Sequence, residues 1–189
     1  MTIKSLTVNV MAPLLVGDPG NLDSPESQSA WRAFDKHLQE IKRYGVSAVS
    51  TDVWWGLIEP QEGVFNWSYY DKVAEHILAA GLKWIPIFSF HQCGGNIGDD
   101  VNVYLPRWIW TKLAKLLGGD ENAAKYVSEQ GNASNEYVSV WATKFILGRY
   151  KAVMQAFQHH YADKADHIAE INISLGPAGE LRYPSYNAH

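Results

Sequence analysis

The chain has 189 residues, a formal net charge of −4 and a sequence pI of about 5.9, and 47% of its residues are hydrophobic. This length and composition are typical of one globular domain with a sizeable core, and they exclude a disordered chain. The acidic balance gives no electrostatic basis for binding nucleic acid or an anionic membrane. The apolar runs are shorter than the ~18 residues of a spanning helix and no signal peptide is visible, so no membrane partner is predicted.

The first part of the chain alternates predicted strands and helices. Alternating apolar residues predict a strand at residues 6–11. Ser24 is a good N-cap and Pro25 suits the first position of a helix, whose apolar stripe continues until Gly45. Residues 46–53 then have the apolar, β-branched character of a second strand.

The remainder of the chain repeats this order. A second helical stripe ends at Gly81, and the apolar run at residues 82–90 predicts a third strand. A long loop with several glycines follows, and Asn135 is expected to cap a helix that ends near His160. Residues 168–175 predict a fourth strand.

This order of elements predicts an α/β protein with parallel strands. Two architectures fit, an open doubly wound sheet and a (β/α)8 barrel, and both place active sites at the carboxyl ends of the strands. No G-x-G-x-x-G loop follows the first predicted strand, which argues against nucleotide binding. The chain also contains eight Trp and ten Tyr. These rings either build an aromatic core or form a surface that stacks on sugar rings.

Polar and aromatic side chains cluster where three of the predicted strands end. The clusters are DVWWG at residues 52–56, HQCGGNIGD at 91–99 and GPAGELRY at 176–183. Because the carboxyl ends of parallel strands meet at one edge, we expect the clusters to share a cleft. Acids and amides bind hydroxyl groups and tryptophan rings stack on apolar sugar faces, so this set predicts a polyhydroxylated ligand.

Each residue in these clusters also has a purely structural interpretation. Asp52 would cap the loop after its strand, Trp54 would belong to the core, and His91 would be a buried structural histidine. Asp99 would lie at a solvated loop tip, and Glu180 would interact with a helix dipole. The glycines and the proline around Glu180 favour a tight, partly desolvated position instead. Desolvation raises the pKa of a carboxyl group, as a general acid near neutral pH requires.

The three clusters together resemble the β-amylases, glycoside hydrolase family 14. The segments DVWWG at 52–56, HQCGGNIGD at 91–99 and GPAGELRYPSY at 176–186 occur in the family's order, and the resemblance extends over essentially all 189 residues. It implies a parallel TIM-type (β/α)8 barrel. It also implies an exo-acting hydrolase that cleaves α-1,4-glucosidic bonds of starch- or glycogen-type glucans and releases β-maltose from non-reducing ends with inversion.

The resemblance implies a role for each matched residue. Glu180 matches the general acid, and the residues matched to substrate binding are Asp52, Trp54, His91, Asp99 and Arg182. Asp99 lies on a glycine-rich loop that the family uses as a mobile lid. No cofactor and no metal are predicted: some bacterial members bind calcium, but the region after Glu136 has few carboxylates in this chain.

The chain departs from the family in its length. A TIM barrel typically needs roughly 250 residues, whereas only about the first four βα units are predicted here. The family's general base is a glutamate further along the chain than residue 189. Glu59, Glu62 and Asp100 are acids near the matched motifs, and none of them matches that base. We therefore predict that residues 1–189 form a single, partial catalytic domain of the β-amylase type.

Two further hypotheses follow from the missing base. One is a non-catalytic glucan-binding or regulatory homologue, which would bind α-1,4-glucan or maltose without turnover. The other is a chain that associates with a second half-chain or with itself, because an unpaired parallel sheet exposes apolar faces and edges. The sequence leaves the cellular location open, and the family resemblance is compatible with secretion.

Overall fold

The computed structural model describes residues 6–94 and 100–174, except for the side chain of Thr143. The predictions for Asp99, Glu180 and Arg182 fall outside the described residues. No helix within the described residues is both long and apolar enough to cross a bilayer.

Six strands and five α-helices make up the described chain. In chain order they are β1 (Val8–Met11), α1 (Pro25–Arg43), β2 (Val46–Trp54), α2 (Trp55–Ile58), α3 (Ser68–Ala79), β3 (Lys83–Ser89), α4 (Arg107–Leu116), β4 (Lys125–Val127), β5 (Ala133–Val138), α5 (Leu147–His160) and β6 (Asn172–Ile173). Short 3-10 helices lie at Glu121–Ala124, Val140–Phe145 and Ala162–His167.

Four of the strands form one sheet in the order β1-β2-β3-β6. Strands β1 and β2 pair in parallel, with Val8 opposite Val46 and Met11 opposite Ser50. A further parallel bridge joins Trp84 to Ile168. Helical segments connect successive strands of this sheet, as parallel pairing requires, so the predicted α/β alternation is confirmed.

The chain divides into two compact units. Of the described residues, unit 1 contains 6–52, 67–87 and 163–172, and unit 2 contains 53–66, 88–94, 100–162, 173 and 174. The prediction of a single domain over residues 1–189 stays a prediction.

Helix α1 of unit 1 begins where the sequence predicts. The side chain of Ser24 accepts a hydrogen bond from the backbone N–H of Ser27, and Pro25 occupies the first turn. The buried face of the helix carries Trp31, Phe34 and Leu38 at helical spacing.

The aromatic residues mainly build the core. Six of the eight tryptophans are buried, namely Trp31, Trp54, Trp55, Trp67, Trp84 and Trp110. Buried indoles usually find a partner for their N–H group, and Trp84 Nε1 donates to Thr51 Oγ1 at 2.8 Å. Trp141 is the contrasting case, because 87% of it is exposed.

The prediction for the region after Asn135 is wrong at its start. Asn135 lies in β5, which pairs antiparallel with β4, and the helix begins only at Leu147. Helix α4 at Arg107–Leu116 has no counterpart among the predicted elements. Of the described part of the fourth predicted strand, residues 168–174, only Asn172–Ile173 form β6.

Candidate functional site

The first matched segment lies at the end of β2. The predicted site residues Asp52 and Trp54 and the neighbouring Trp55 are all buried. Asp52 is 8% exposed, Trp54 2% and Trp55 1%. Asp52 is the last residue of this part of unit 1, and Trp54 belongs to unit 2. A carboxylate at such a position is largely withdrawn from water, which strengthens any hydrogen bond that it makes to a ligand.

The second matched segment begins just after β3, in unit 2, with His91. Its ring contacts the Trp54 ring edge to face, with centroids 5.2 Å apart at an interplanar angle of 71°. The imidazole Nδ1 lies 3.3 Å from Ser174 Oγ, and that oxygen also accepts a hydrogen bond from the Phe90 backbone N–H at 3.1 Å. The structure therefore brings together two of the predicted site residues, Trp54 and His91.

The imidazole of His91 is kept neutral by its surroundings. Only 7% of His91 is exposed, and burial lowers its pKa from 6.5 to about 4. A neutral imidazole has one donor and one acceptor nitrogen. Such a ring suits a neutral ligand with hydroxyl groups better than it suits an anion.

A second ring pair lies beside the first. Trp55 packs edge to face on Phe90, with centroids 5.7 Å apart at 80°. Trp54 and Trp55 are consecutive residues, as are Phe90 and His91. The ends of β2 and β3 are thus joined through two neighbouring ring pairs, 54 with 91 and 55 with 90.

Glu59 anchors the Trp55 side of this arrangement and is fully buried. Its Oε2 accepts from Trp55 Nε1 at 2.6 Å, and its Oε1 accepts from the Gly63 backbone N–H at 2.7 Å. The Arg149 guanidinium forms an ion pair with the same Oε1. The backbone oxygen of Glu59 accepts from Trp108 Nε1 at 3.0 Å. Both carboxylate oxygens are therefore engaged inside the protein, so Glu59 is not placed to activate a water molecule.

Gly56 of the DVWWG motif is required by a close backbone approach. A Cβ atom at this position would lie 1.8 Å from the carbonyl oxygen of Tyr104. No rotation of a side chain relieves such a clash, because the obstacle is main chain. The glycine thus lets the segment after β2 pack against the segment that carries Tyr104.

Part of the glycine-rich loop is described at its two ends. Cys93 and Val103 exchange two backbone hydrogen bonds of 2.9 Å each, which ties the ends together. Gly94 has a φ of +78°, and a Cβ there would lie 2.1 Å from the Val101 carbonyl oxygen. Both facts require glycine at this position. The predicted hinges Gly95 and Gly98 lie outside the described residues, as does Asp99.

A separate cavity of about 500 Å³ lies in unit 1, between α1 and α3. Its lining includes Trp31, Asp35, Lys72 and His76, none of which belongs to the matched motifs. No group of three His, Cys, Asp or Glu side chains suited to a metal ion occurs among residues 6–94 and 100–174.

Sequence reasoning missed three residues of the arrangement around His91 and Trp55. Ser174 and Arg149 carry no local signal, because their partners lie 83 and 90 residues away. By residue type and position alone, Glu59 is one of several acids near the motif. The signal that marks it is its position at the end of a strongly apolar run, DVWWGLIE, where a charged residue must be paired if it is buried.

Comparison with known proteins identifies the family. The model of glycosyl hydrolase family 14 matches residues 9–189. The chain is 43% identical over 163 residues to the thermophilic β-amylase of Thermoanaerobacterium thermosulfurigenes, covering 86% of this chain and 28% of that protein. It is 41% identical over 158 residues to the β-amylase of Niallia circulans, covering 82% and 26%. The chain thus spans less than a third of the length of these relatives.

The structural comparison agrees. The catalytic domain of the β-amylase from Paenibacillus polymyxa superposes with a TM-score of 0.79 at 39% identity, and the match covers 95% of this chain and 39% of that one. Both the suspected family and the fold class, a β-amylase barrel represented by its first βα units, are confirmed. The chain belongs to glycosyl hydrolase family 14, the glycoside hydrolase family of the β-amylases.

Proposed function

We propose that the protein hydrolyses α-1,4-glucosidic bonds of starch- or glycogen-type glucans from their non-reducing ends and releases β-maltose with inversion. The observation that carries this proposal is the buried, neutral His91 packed against Trp54 where β2 and β3 end, in a chain of family 14. A neutral imidazole suits a sugar hydroxyl, and the buried Trp54 indole packs against that imidazole. The proposed ligands are accordingly α-1,4-glucan and maltose.

The proposed mechanism assigns roles to the matched polar residues. Glu180 protonates the oxygen of the leaving sugar as the general acid, and Arg182 supports that carboxyl group and the substrate. Asp52, His91 and Asp99 hold the terminal glucose. A pocket that holds a chain end makes the enzyme exo-acting, because an internal glucose presents no free end to it.

Inversion requires a second carboxylate about 6.5–9.5 Å from the acid, with room for a water molecule between them. Glu59 is occupied by Trp55, Gly63 and Arg149, and Glu62 pairs with Lys112. Neither is a good candidate for that base. We propose that the general base is supplied by polypeptide outside these 189 residues.

The first test is the release of reducing sugar from soluble starch by this chain, compared with Glu180→Gln. Maltose released by the chain and abolished by the substitution would support hydrolysis with Glu180 as the acid. It would also contradict a base outside the chain. If no release occurs until a downstream segment from a related β-amylase is added, the external base is supported. No release under either condition would refute the hydrolase proposal.

The alternative is a glucan-binding homologue without catalysis, favoured by the engagement of Glu59 and Glu62 in ion pairs. Titration calorimetry with maltose distinguishes the two functions when it is combined with the starch assay. Binding without turnover in every combination supports the alternative, and absence of binding refutes it.

Association is the remaining part of the proposal. The outermost strands of the sheet expose apolar residues: Val8 is 50% exposed, Met11 56% and Ile173 48%. We propose that a second half-chain, or a second copy of this chain, covers these strands. Sedimentation of the chain alone and with the downstream segment would show a complex, and a strictly monomeric chain in both samples would contradict it.

A further inference from the structure

We propose that the buried Glu59–Arg149 ion pair is a positioning device that fixes the Trp54–His91 ring pair for glucan binding. The contacts that connect Glu59 and Arg149 to those two rings run through Trp55 and Phe90. The inference deepens the proposed function and rests on it for the identity of the ligand. The claim that Glu59 controls the geometry around His91 can be tested separately.

The first step is the hydrogen bond through which Glu59 fixes the Trp55 ring. The indole N–H of Trp55 donates to Oε2 at 2.6 Å, while Arg149 and the Gly63 backbone N–H occupy Oε1. All three partners are donors. A carboxylate offers only acceptors, so it satisfies them together, and its negative charge balances the guanidinium.

The second step connects Trp55 to the ligand-facing pair. Trp55 packs on Phe90, and the residues next to these two, Trp54 and His91, pack on each other. Trp54 ends β2 and Trp55 begins α2, so a single peptide unit joins their rings, and the same holds for Phe90 and His91 just after β3. A shift of the Trp55–Phe90 pair therefore moves the backbone from which Trp54 and His91 project.

The third step is the rigidity of the surroundings. Arg149 lies over the Trp108 ring at 5.5 Å, and Trp108 in turn packs on Trp55 with centroids 5.9 Å apart. Tyr150 contacts both Trp55 and Phe90, at 5.5 and 4.3 Å between centroids. With rings packed on several sides, Trp55 has one position as long as Glu59 holds its N–H group.

The same stretch of chain supplies a matched control. Glu62 also forms an ion pair, with Lys112, but Glu62 and Lys112 are 43% and 37% exposed. Their ion pair is separate from the contacts that join Glu59, Trp55 and Phe90. Glu62→Gln thus removes an acid of the same type from the same segment without touching the proposed positioning device.

The test uses Glu59→Gln, Trp55→Phe, Arg149→Lys and the control Glu62→Gln in the 189-residue chain. Glu59→Gln keeps the shape but places an amide N–H against one of the three donors. Trp55→Phe leaves the Glu59–Arg149 ion pair and removes the indole N–H group that links Glu59 to the rings. Arg149→Lys keeps the charge and is expected to have the smallest effect of the three.

The first readout is the titration of the His91 ring by NMR, assigned with a His91→Gln reference. The wild-type pKa is about 4 because the ring is buried. In Glu59→Gln and Trp55→Phe we expect it to move toward 6.5, since a ring that is no longer held becomes more solvated. Glu62→Gln should leave it unchanged. A residue that only stabilises the fold would not move the titration of a distant ring in a protein that is still folded.

The second readout is the affinity for maltose by calorimetry. We expect a loss of about tenfold or more in Glu59→Gln and Trp55→Phe, because misplacement of binding groups by a fraction of an ångström lowers affinity strongly. If the wild-type chain does not bind maltose, the glucan-binding alternative fails, the starch assay still decides the hydrolase proposal, and the His91 titration alone decides the positioning. If Glu59→Gln does not fold, Trp55→Phe and Arg149→Lys decide it. Folded variants with unchanged His91 titration would overturn the inference.

Discussion

Two buried tryptophans, Trp31 and Trp55, differ in whether the indole N–H group has a hydrogen-bond partner. Trp31 of unit 1 is 2% exposed and stacks on His76, with centroids 4.9 Å apart and planes 9° from parallel. Its Nε1 has no hydrogen-bond partner in the part of the chain that the structure describes. Trp55 of unit 2 is 1% exposed, and its Nε1 donates to Glu59 at 2.6 Å.

The side-chain pairs beside these two tryptophans differ in their exposure to water. His76 Nδ1 lies 2.5 Å from Asp35 Oδ1, but half of the Asp35 side chain is exposed. Glu59 has no exposed surface, and 19% of the Arg149 side chain is exposed. Water screens the first pair and replaces either partner when it is lost. The second pair has no such replacement, so its loss leaves a charge in a dry site.

The largest expected effect is that of Arg149→Met. It leaves the Glu59 carboxylate buried without its cation, and we expect a loss of about 3–5 kcal/mol in the free energy of unfolding. Urea unfolding at pH 7 measures it. In Glu59→Gln/Arg149→Met both charges are gone, and part of the stability should return. If the free energy of unfolding of Arg149→Met lay within about 1 kcal/mol of wild type, the ion pair would not be important for stability.

The next effect concerns the acid sensitivity of His91. Its pKa is about 4 in the folded protein and 6.5 in the unfolded chain, so between these values the unfolded chain binds more protons. Stability attributable to this residue is therefore complete above pH 6.5 and is lost as pH falls toward 4, by about 3 kcal/mol in total.

The measurement is urea unfolding of the wild type and of His91→Gln at pH 7 and pH 4. The variant has no ring to protonate, so its stability should fall less over the same interval. Equal losses in the two proteins would contradict a buried, neutral His91.

A smaller effect distinguishes the two indoles directly. Trp31→Phe and Trp55→Phe remove similar buried volumes, but only the second leaves an acceptor on Glu59 without its donor. We expect Trp55→Phe to lower the free energy of unfolding by about 1–3 kcal/mol more than Trp31→Phe. Chemical denaturation of the two variants side by side measures the difference. Equal losses would mean that the hydrogen bond to Glu59 contributes no net stability.

The smallest effect is expected for Asp35→Asn. The exposed pair with His76 contributes at most about 1 kcal/mol, so the free energy of unfolding should hardly change. Thermal or urea unfolding at neutral pH is sufficient as a measurement. A loss of stability as large as that of Arg149→Met would refute the view that exposure makes the Asp35–His76 pair weaker than the Glu59–Arg149 pair.

Predictions from the sequence agree with the structure where the interacting residues are close together in the chain. Helix α1 starts at its predicted cap because Ser24, Pro25 and Ser27 interact within one turn. Asn135 is an equally acceptable cap by type, yet it lies in β5, because pairing with β4 is a tertiary interaction that local preference does not contain.

The same distinction between local and tertiary interactions applies to the candidate site. By itself the sequence determined the α/β alternation, the family and the three motifs, since these are carried by periodicity and by residue identity at short spacing. Only the tertiary structure decided that His91 is buried, neutral and packed on Trp54, and that Glu59 is bound to Arg149. These properties arise from contacts across tens of residues, and the exclusion of water that gives them their strength exists only once the chain has folded.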